Sequence, residues 1–247
     1  MLLACSKADL SKIQPILFVD VKKNVDEYVA RNLDNAHKLR IKYFPVAIGT
    51  PEEQEQWLYD VGHCIGGRIK QIHRTMAALD RSRVIIPGAG GAVGKPHYWK
   101  RGDAGDTEIS ANELLHRMGL PLHPLLRGAI NTWLKGISHV LNTFQLLDVA
   151  HIENREGAWG GPQTYGQVRF VDHIYPIYHR VIFENMIALP RDYKFENRLH
   201  SDVIKREWPE LLDFPFNSYG GIRNWLEKAK RLRKLPGRLT RAINHYR

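Results

Sequence analysis

The sequence predicts an α/β protein: a parallel sheet with helices on both faces, followed by a mostly α-helical C-terminal half. Three observations predict it. Up to Lys100, short apolar runs of strand length alternate with segments of helical period. One of those runs, Arg83–Pro87, breaks directly into Gly88-Ala89-Gly90-Gly91-Ala92-Val93-Gly94-Lys95. Beyond Lys100 the apolar residues recur mostly with the helical period. Residues 1–100 therefore read as a partial α/β region and residues 101–247 as a helical region of the same domain.

In chain order, Leu2, Leu3, Ala4 and Ala8 suggest a buried helix. Ile13 to Asp20 reads as a buried strand, because Pro15 disfavours helix at the residue before it. Val25, Val29, Leu33 and Ala36 follow at helical spacing. A second strand covers Lys42 to Ile48. Thr50-Pro51-Glu52-Glu53 starts a helix, with a threonine cap, proline at the first position and acids near the positive end of the dipole. A helix over Gly67–Leu79 leads to the third strand. Strands are thus expected near Ile16–Val19, Tyr43–Ile48 and Arg83–Pro87. Arg101–Thr107 is a polar loop. Four helical faces then follow: Leu114, Leu115 and Met118; Leu126, Ile130, Trp133 and Leu134; Val140, Phe144, Leu147 and Ala150; and Ile182, Met186 and Leu189. Gly157-Ala158-Trp159-Gly160-Gly161-Pro162 reads as a turn.

The composition bounds the chemistry. With 247 residues, 43% of them hydrophobic and 25% charged, the chain can bury a sizeable core. Its two cysteines, Cys5 and Cys64, form no metal-ligand spacing and no disulfide framework, which fits a reducing cytoplasm. No apolar run is long enough to span a bilayer, so no transmembrane segment is expected. The formal charge of +10 is concentrated in the tail 225–247. That tail reads as a solvated terminal helix before it reads as a lipid or nucleic-acid contact, and nucleic acid is not the expected partner.

The glycine stretch approaches a P-loop, G-x-x-x-x-G-K-[ST], but Ala89 stands at the first glycine and Pro96 at the metal-binding hydroxyl. By itself it reads equally as a degenerate phosphate cradle and as a tight reversal needing positive φ. It carries no acidic residue to hold a metal.

With the second half in view, the chain resembles the synthetase domain of the asparagine synthase family, in the PP-loop ATP pyrophosphatase group. Gly88-Ala89-Gly90-Gly91-Ala92 with the later Tyr98 is similar to that family's G-E-G-x-D/E loop and the aromatic after it. Asp148, Glu153-Asn154-Arg155 and Trp159 resemble its helix ending in E-x-R. Tyr175-Pro176-Ile177-Tyr178-His179 resembles P-F-L-D. Ala188-Leu189-Pro190 resembles the l-P after the next helix, and His200 to Pro215, with Trp208-Pro209-Glu210-Leu211, resembles the K-x-x-L-R helix and its proline exit.

The resemblance implies an adenine nucleotide alpha hydrolase-like sheet and ATP-dependent amide formation through an acyl-adenylate, with ATP and Mg²⁺ as cofactors and a small carboxylate and an amine as substrates. It implies a catalytic role for Tyr98, a base-and-ribose site near Val19, Asp20 and Ile48, and a phosphate site at Gly88, Gly90 and Gly91. The departures from the family are chemical. The S-G-G-x-D-S loop that grips pyrophosphate is absent. The helix beginning at Leu2 resembles the one that follows it, so Met1 reads as a start inside the parent domain, leaving an open sheet edge for a protein partner or a second copy. Ala89 replaces the proton-transfer glutamate, Ala92 the Mg²⁺ ligand, His179 the aspartate of P-F-L-D and Ser201 the helix lysine. Adenylation is therefore expected to be impaired. The alternative is a non-catalytic domain that binds a nucleotide or a partner.

Other residues have plainer readings. His151, His173, His179 and His200 match no metal spacing, and no metal ligands are assigned. Cys64 after His63 reads as a small buried side chain, Glu153 and Arg155 as an ion pair at a helix end, and Trp208 and Trp225 as packing residues.

Overall fold

In the computed structural model, residues 1–19, 25–62, 72–216, 218–221 and 224 are described. Asp20, Cys64, the first part of the helix expected from Gly67, Trp225 and the basic tail lie outside them. Of the described residues, about 58% are helical and about 6% are strand.

The elements are α1 (Leu2–Cys5), β1 (Ile16–Val19), α2 (Val25–His37), β2 (Lys42–Pro45), α3 (Pro51–Val61), α4 (Ile72–Ala77), β3 (Val84–Ile85), α5 (Ala111–Met118), α6 (Pro124–Ile137), α7 (Thr143–His151), a π-helical segment (Ile152–Gly160), α8 (Gly161–Val168), β4 (Asp172–His173), α9 (Arg180–Ile187), α10 (Arg191–Phe195) and α11 (Arg198–Glu207).

The expected sheet, covered by helices on both faces, is not the architecture. The described strands form two separate pairs, both parallel: β1 with β2, and β3 with β4. β1 falls where the sequence placed it. β2 ends at Pro45, short of Ile48, and β3 keeps only Val84 and Ile85. The reason lies in burial. A central parallel strand is apolar because both of its faces are covered, yet Val84 and Ile86 are exposed. Pro87 then removes the next backbone donor. The β-branched run signalled strand propensity but not a covered sheet.

The chain divides into two compact units. One comprises the described residues of Leu3–Val46 and those from Ile204 to Asn224. In it, Ala4, Leu39, Ile204, Trp208 and Leu211 form the core, and His37 packs edge-on against Trp208. Trp208 is thus a packing residue.

The other unit, Met1–Leu2 with Ala47–Val203, carries most of the helices. Its starts are sequence-coded. Thr50 accepts from the Glu53 N–H while Glu53 accepts from the Thr50 N–H, a complete capping box with Pro51 in the first turn. Ser110 caps α5, and Asn142 with Gln145 forms a second capping box on α7. That box starts α7 after Val140, which lies exposed outside it. α5, α6 and α7 enclose the main core around Leu114, Leu134, Leu147 and Trp99.

α7, the π-helical segment and α8 run on without a break from Thr143 to Val168. The turn expected at Gly157–Pro162 is therefore helix. The Gly161 N–H reaches back to the Glu156 carbonyl, five residues earlier. Glycines at 157, 160 and 161 add no side chains to the widened turns, and Pro162 lies in the first turn of α8. Such wide turns recur at functional sites.

α8 lies against α3 at Gly166. A Cβ there would stand 2.4 Å from the Trp57 ring and 2.8 Å from Val61 Cγ1. Trp57 is fully buried and cannot retreat. Gly166→Ala is expected to destabilise by roughly 1–3 kcal/mol through overpacking. A thermal melt checks this, and an unchanged melting temperature would show that α3 and α8 do not pack this tightly.

Candidate functional site

The glycine stretch folds into a reversal followed by one 3₁₀ turn, Gly91–Gly94. Gly90 has φ +87°, a left-handed value that favours glycine. Inside the turn, Val93 N–H donates to the Gly90 carbonyl at 3.2 Å and Lys95 N–H to that of Ala92 at 3.0 Å. Gly90 sits directly on the Tyr178 ring and on Ile177. Gly91 and Gly94 are buried beside His200 and Leu199, while Gly88 faces open space.

Tyr178 links this turn to the π-helical segment. Its hydroxyl donates to Glu156 Oε2 at 2.5 Å, and its ring stacks on Tyr175 with centroids 5.1 Å apart. Burial and the carboxylate both push the Tyr178 hydroxyl up, so it stays protonated. The other Glu156 oxygen lies 4.0 Å from His151 Nε2. His151 is 1% exposed, and neither ring nitrogen has a hydrogen-bond partner among the described residues. Its ring lies 3.9 Å, centroid to centroid, from that of His97. Desolvation, aided by the charges of His97 and Arg155, pushes His151 down to about 3. It is neutral at any ordinary pH.

Tyr98 flanks the same pair of imidazoles and donates its hydroxyl to Asn154 Oδ1 at 3.3 Å. Burial raises its hydroxyl as well. The widened turns thus spread four consecutive side chains to four partners: Glu153 to the Trp133 indole, Asn154 to Tyr98, Arg155 over the Trp159 ring, and Glu156 to Tyr178. Glu153 and Arg155 each have a different partner instead of the ion pair expected between them.

One buried ion pair braces the arrangement. Lys194, on α10, is wholly enclosed and donates to Asp148 and, at 3.1 Å, to the Val93 carbonyl of the glycine turn. It ties the turn to α7. Burial pushes Asp148 up to about 7 despite the lysine beside it.

The structure therefore joins Gly90 to Tyr98 through Tyr178, Glu156 and the two histidines. Ile48 is exposed in this unit, Val19 ends β1 of the other unit, and Asp20 lies outside the described residues. Ser201, aligned with the family lysine, donates to the Arg198 carbonyl at 2.9 Å. His97, Glu156 and Lys194 carried no sequence signal, since each matters through partners 46 to 101 positions away or across a turn of unexpected width.

The residues present do not suit Mg²⁺ at the glycine turn. Gly88–Lys95 holds no carboxylate, and the side chains nearest Gly90, Gly91 and Gly94 are Tyr178, Ile177, His200, Leu199 and Met1. Among the described residues no three of His, Cys, Asp and Glu converge as metal ligands. No helix of the described residues is long and apolar enough to cross a membrane. No protein-family model, curated protein or solved structure matches this chain.

Proposed function

We propose that this chain is an asparagine-synthase-like synthetase domain that keeps a ligand-binding centre but lacks the phosphate and metal apparatus of adenylation. One observation carries the reading. Three segments that resemble the family's motifs, far apart in sequence, converge: Gly90 packs on Tyr178, Tyr178 bonds Glu156, the residue directly after Glu153-Asn154-Arg155 of the E-x-R segment, and Tyr98 bonds Asn154 within it.

In this reading His151, whose two ring nitrogens have no partner among the described residues, offers a donor and an acceptor to a small polar ligand, while the Tyr98 and Tyr178 hydroxyls, already donating to Asn154 and Glu156, can only accept. ATP or AMP and a small carboxylate are the expected ligands, and the cytoplasm is the expected location. Adenylation develops charge on the phosphates, and losing one preorganised donor costs about a hundred- to a thousand-fold in rate. Here the turn has alanine at 89 and 92 and serine stands at 201. Binding can survive those losses where turnover does not.

The test pairs two measurements on one sample: calorimetric titration with ATP, AMP and candidate carboxylates, and exchange of labelled pyrophosphate into ATP. Binding without exchange is expected, weakened by Tyr98→Phe. Robust exchange abolished by that substitution would instead show a working synthetase. Failure of every ligand to bind would remove the binding centre itself.

A further inference from the structure

A cavity of about 290 Å³ opens among α5, α6, α7 and the π-helical segment. Leu114, Met118, Ile130 and Trp133 supply its apolar walls, and Glu153 and Asn154 stand at its polar end. Of the lining residues, Glu153 alone is ionisable. Its Oε2 accepts from Trp133 Nε1 at 2.6 Å, which fixes the carboxylate at the indole edge, on the exposed rim of the cavity. Asn154 is already turned to the Tyr98 hydroxyl.

We propose that this cavity binds a small primary amine with an apolar body. The body fills the space between Met118, Ile130 and Trp133, and the ammonium pairs with Glu153. Glu153 stands at the exposed rim, where water screens it, so the apolar walls carry most of the affinity and the carboxylate adds a modest preference for a cation. Charge decides the class: a carboxylate guest would meet Glu153 with like charge, and a neutral guest would forgo its attraction. Size decides the scale. The volume lies at the low end of ligand cavities, on the order of 300–1,000 Å³, which limits the guest to about one ring and a short arm. The site stands whether or not the chain binds a nucleotide.

The test titrates the full chain at neutral pH with 2-phenylethylamine, 2-phenylethanol and 3-phenylpropanoate, by calorimetry and by the NMR shift of the Trp133 indole N–H. The amine is expected to bind and to move that resonance, with the alcohol about threefold weaker and the acid silent. Glu153→Gln keeps an acceptor for Trp133 and should weaken the amine about threefold while leaving the alcohol unchanged. Ala129 lines the cavity from an exposed position, so Ala129→Leu fills the space without burdening the core and should abolish amine binding. Equal affinity for amine and alcohol, binding of the acid, indifference to either substitution, or no amine binding to the folded wild type would each overturn the proposal.

Discussion

Lys194→Met is expected to be the most damaging substitution of a single polar side chain in this protein. Lys194 is 0% exposed and Asp148 2% exposed, and the ammonium is shared between that carboxylate and the Val93 carbonyl. Methionine matches the stem but leaves Asp148 enclosed without its cation, so the folded chain must hold a proton there that the unfolded chain gives up at neutral pH. Removing one partner of a buried pair costs about 3–5 kcal/mol, because the survivor loses its compensation. Total stability is on the order of 5–15 kcal/mol. The melting temperature should therefore fall by roughly 6–20 °C for a chain of this size. The cost should not be the net worth of the pair. Lys194→Met with Asp148→Leu removes both charges beside Trp99 and should recover most of the loss. A double variant no more stable than the single one would show that Lys194 acts through packing or through Val93 alone.

The pair also sets a pH dependence. Asp148 is pushed up to about 7 from the usual carboxylate value of 3.8. Between those values the folded state holds a proton that the unfolded state has lost. Stability from this group therefore falls as pH rises from about 4 to 7, and the loss is complete above that. Lys194 restrains the rise, so its removal carries the carboxyl higher. The Lys194→Met variant should keep losing stability between pH 7 and 8, where the wild-type contribution of Asp148 has levelled. Chemical denaturation of variant and wild type at pH 5, 6, 7 and 8 reads this as the difference between the two, in which the opposing contribution of His151 and His200, both held low in the folded state, cancels.

Local chemistry was legible in the sequence and long-range pairing was not. The capping box at Thr50, the stripe through Leu114 and Leu115, and the strand at Ile16–Val19 depend on neighbours within a few residues. The sheet depends on which strand lies beside which. β3 pairs with Asp172–His173, two residues with no strand propensity of their own, and that pairing cannot be read from Val84 and Ile85. Gly157–Pro162 carried every mark of a turn. Its helical course follows from what flanks it: Tyr178 holding Glu156 on one side and Trp57 closing on Gly166 on the other. Tertiary contacts of this kind override propensity. The same limit applied to the site. Tyr98 and the glycines stood out because residue type and order marked them, whereas His97 against His151 is a pairing across 54 positions that no local pattern announces.

Gly90→Ala should separate the glycine turn's architecture from its composition. At φ +87° any side chain is strained, by about 1–2 kcal/mol. The new methyl would also stand 2.7 Å from Cδ1 and Cε1 of Tyr178 and 3.0 Å from Ile177 Cγ2. The tyrosine ring has nowhere to go. Glu156 holds its hydroxyl, Tyr175 stacks on one face, and Phe183 abuts it edge-on at 5.6 Å. Overpacking against a pinned ring adds about 1–3 kcal/mol, so the total should be near 3 kcal/mol. Gly88→Ala is the control, because nothing lies within 4 Å of its Cβ position and its φ is not in the left-handed range. It should stay within about 0.5 kcal/mol of wild type. Tyr178→Ala vacates the space that the Gly90 methyl needs, so the double variant with Gly90→Ala should lose less than the sum of the two single losses. If Gly90→Ala and Gly88→Ala behave alike, the turn does not rest on Tyr178, and the link from the glycines to Glu156 and His151 fails with it. If Gly90→Ala folds at reduced stability but loses its ligand while Gly88→Ala keeps it, the strained turn is there to place Tyr178, and through Tyr178 the centre beneath it.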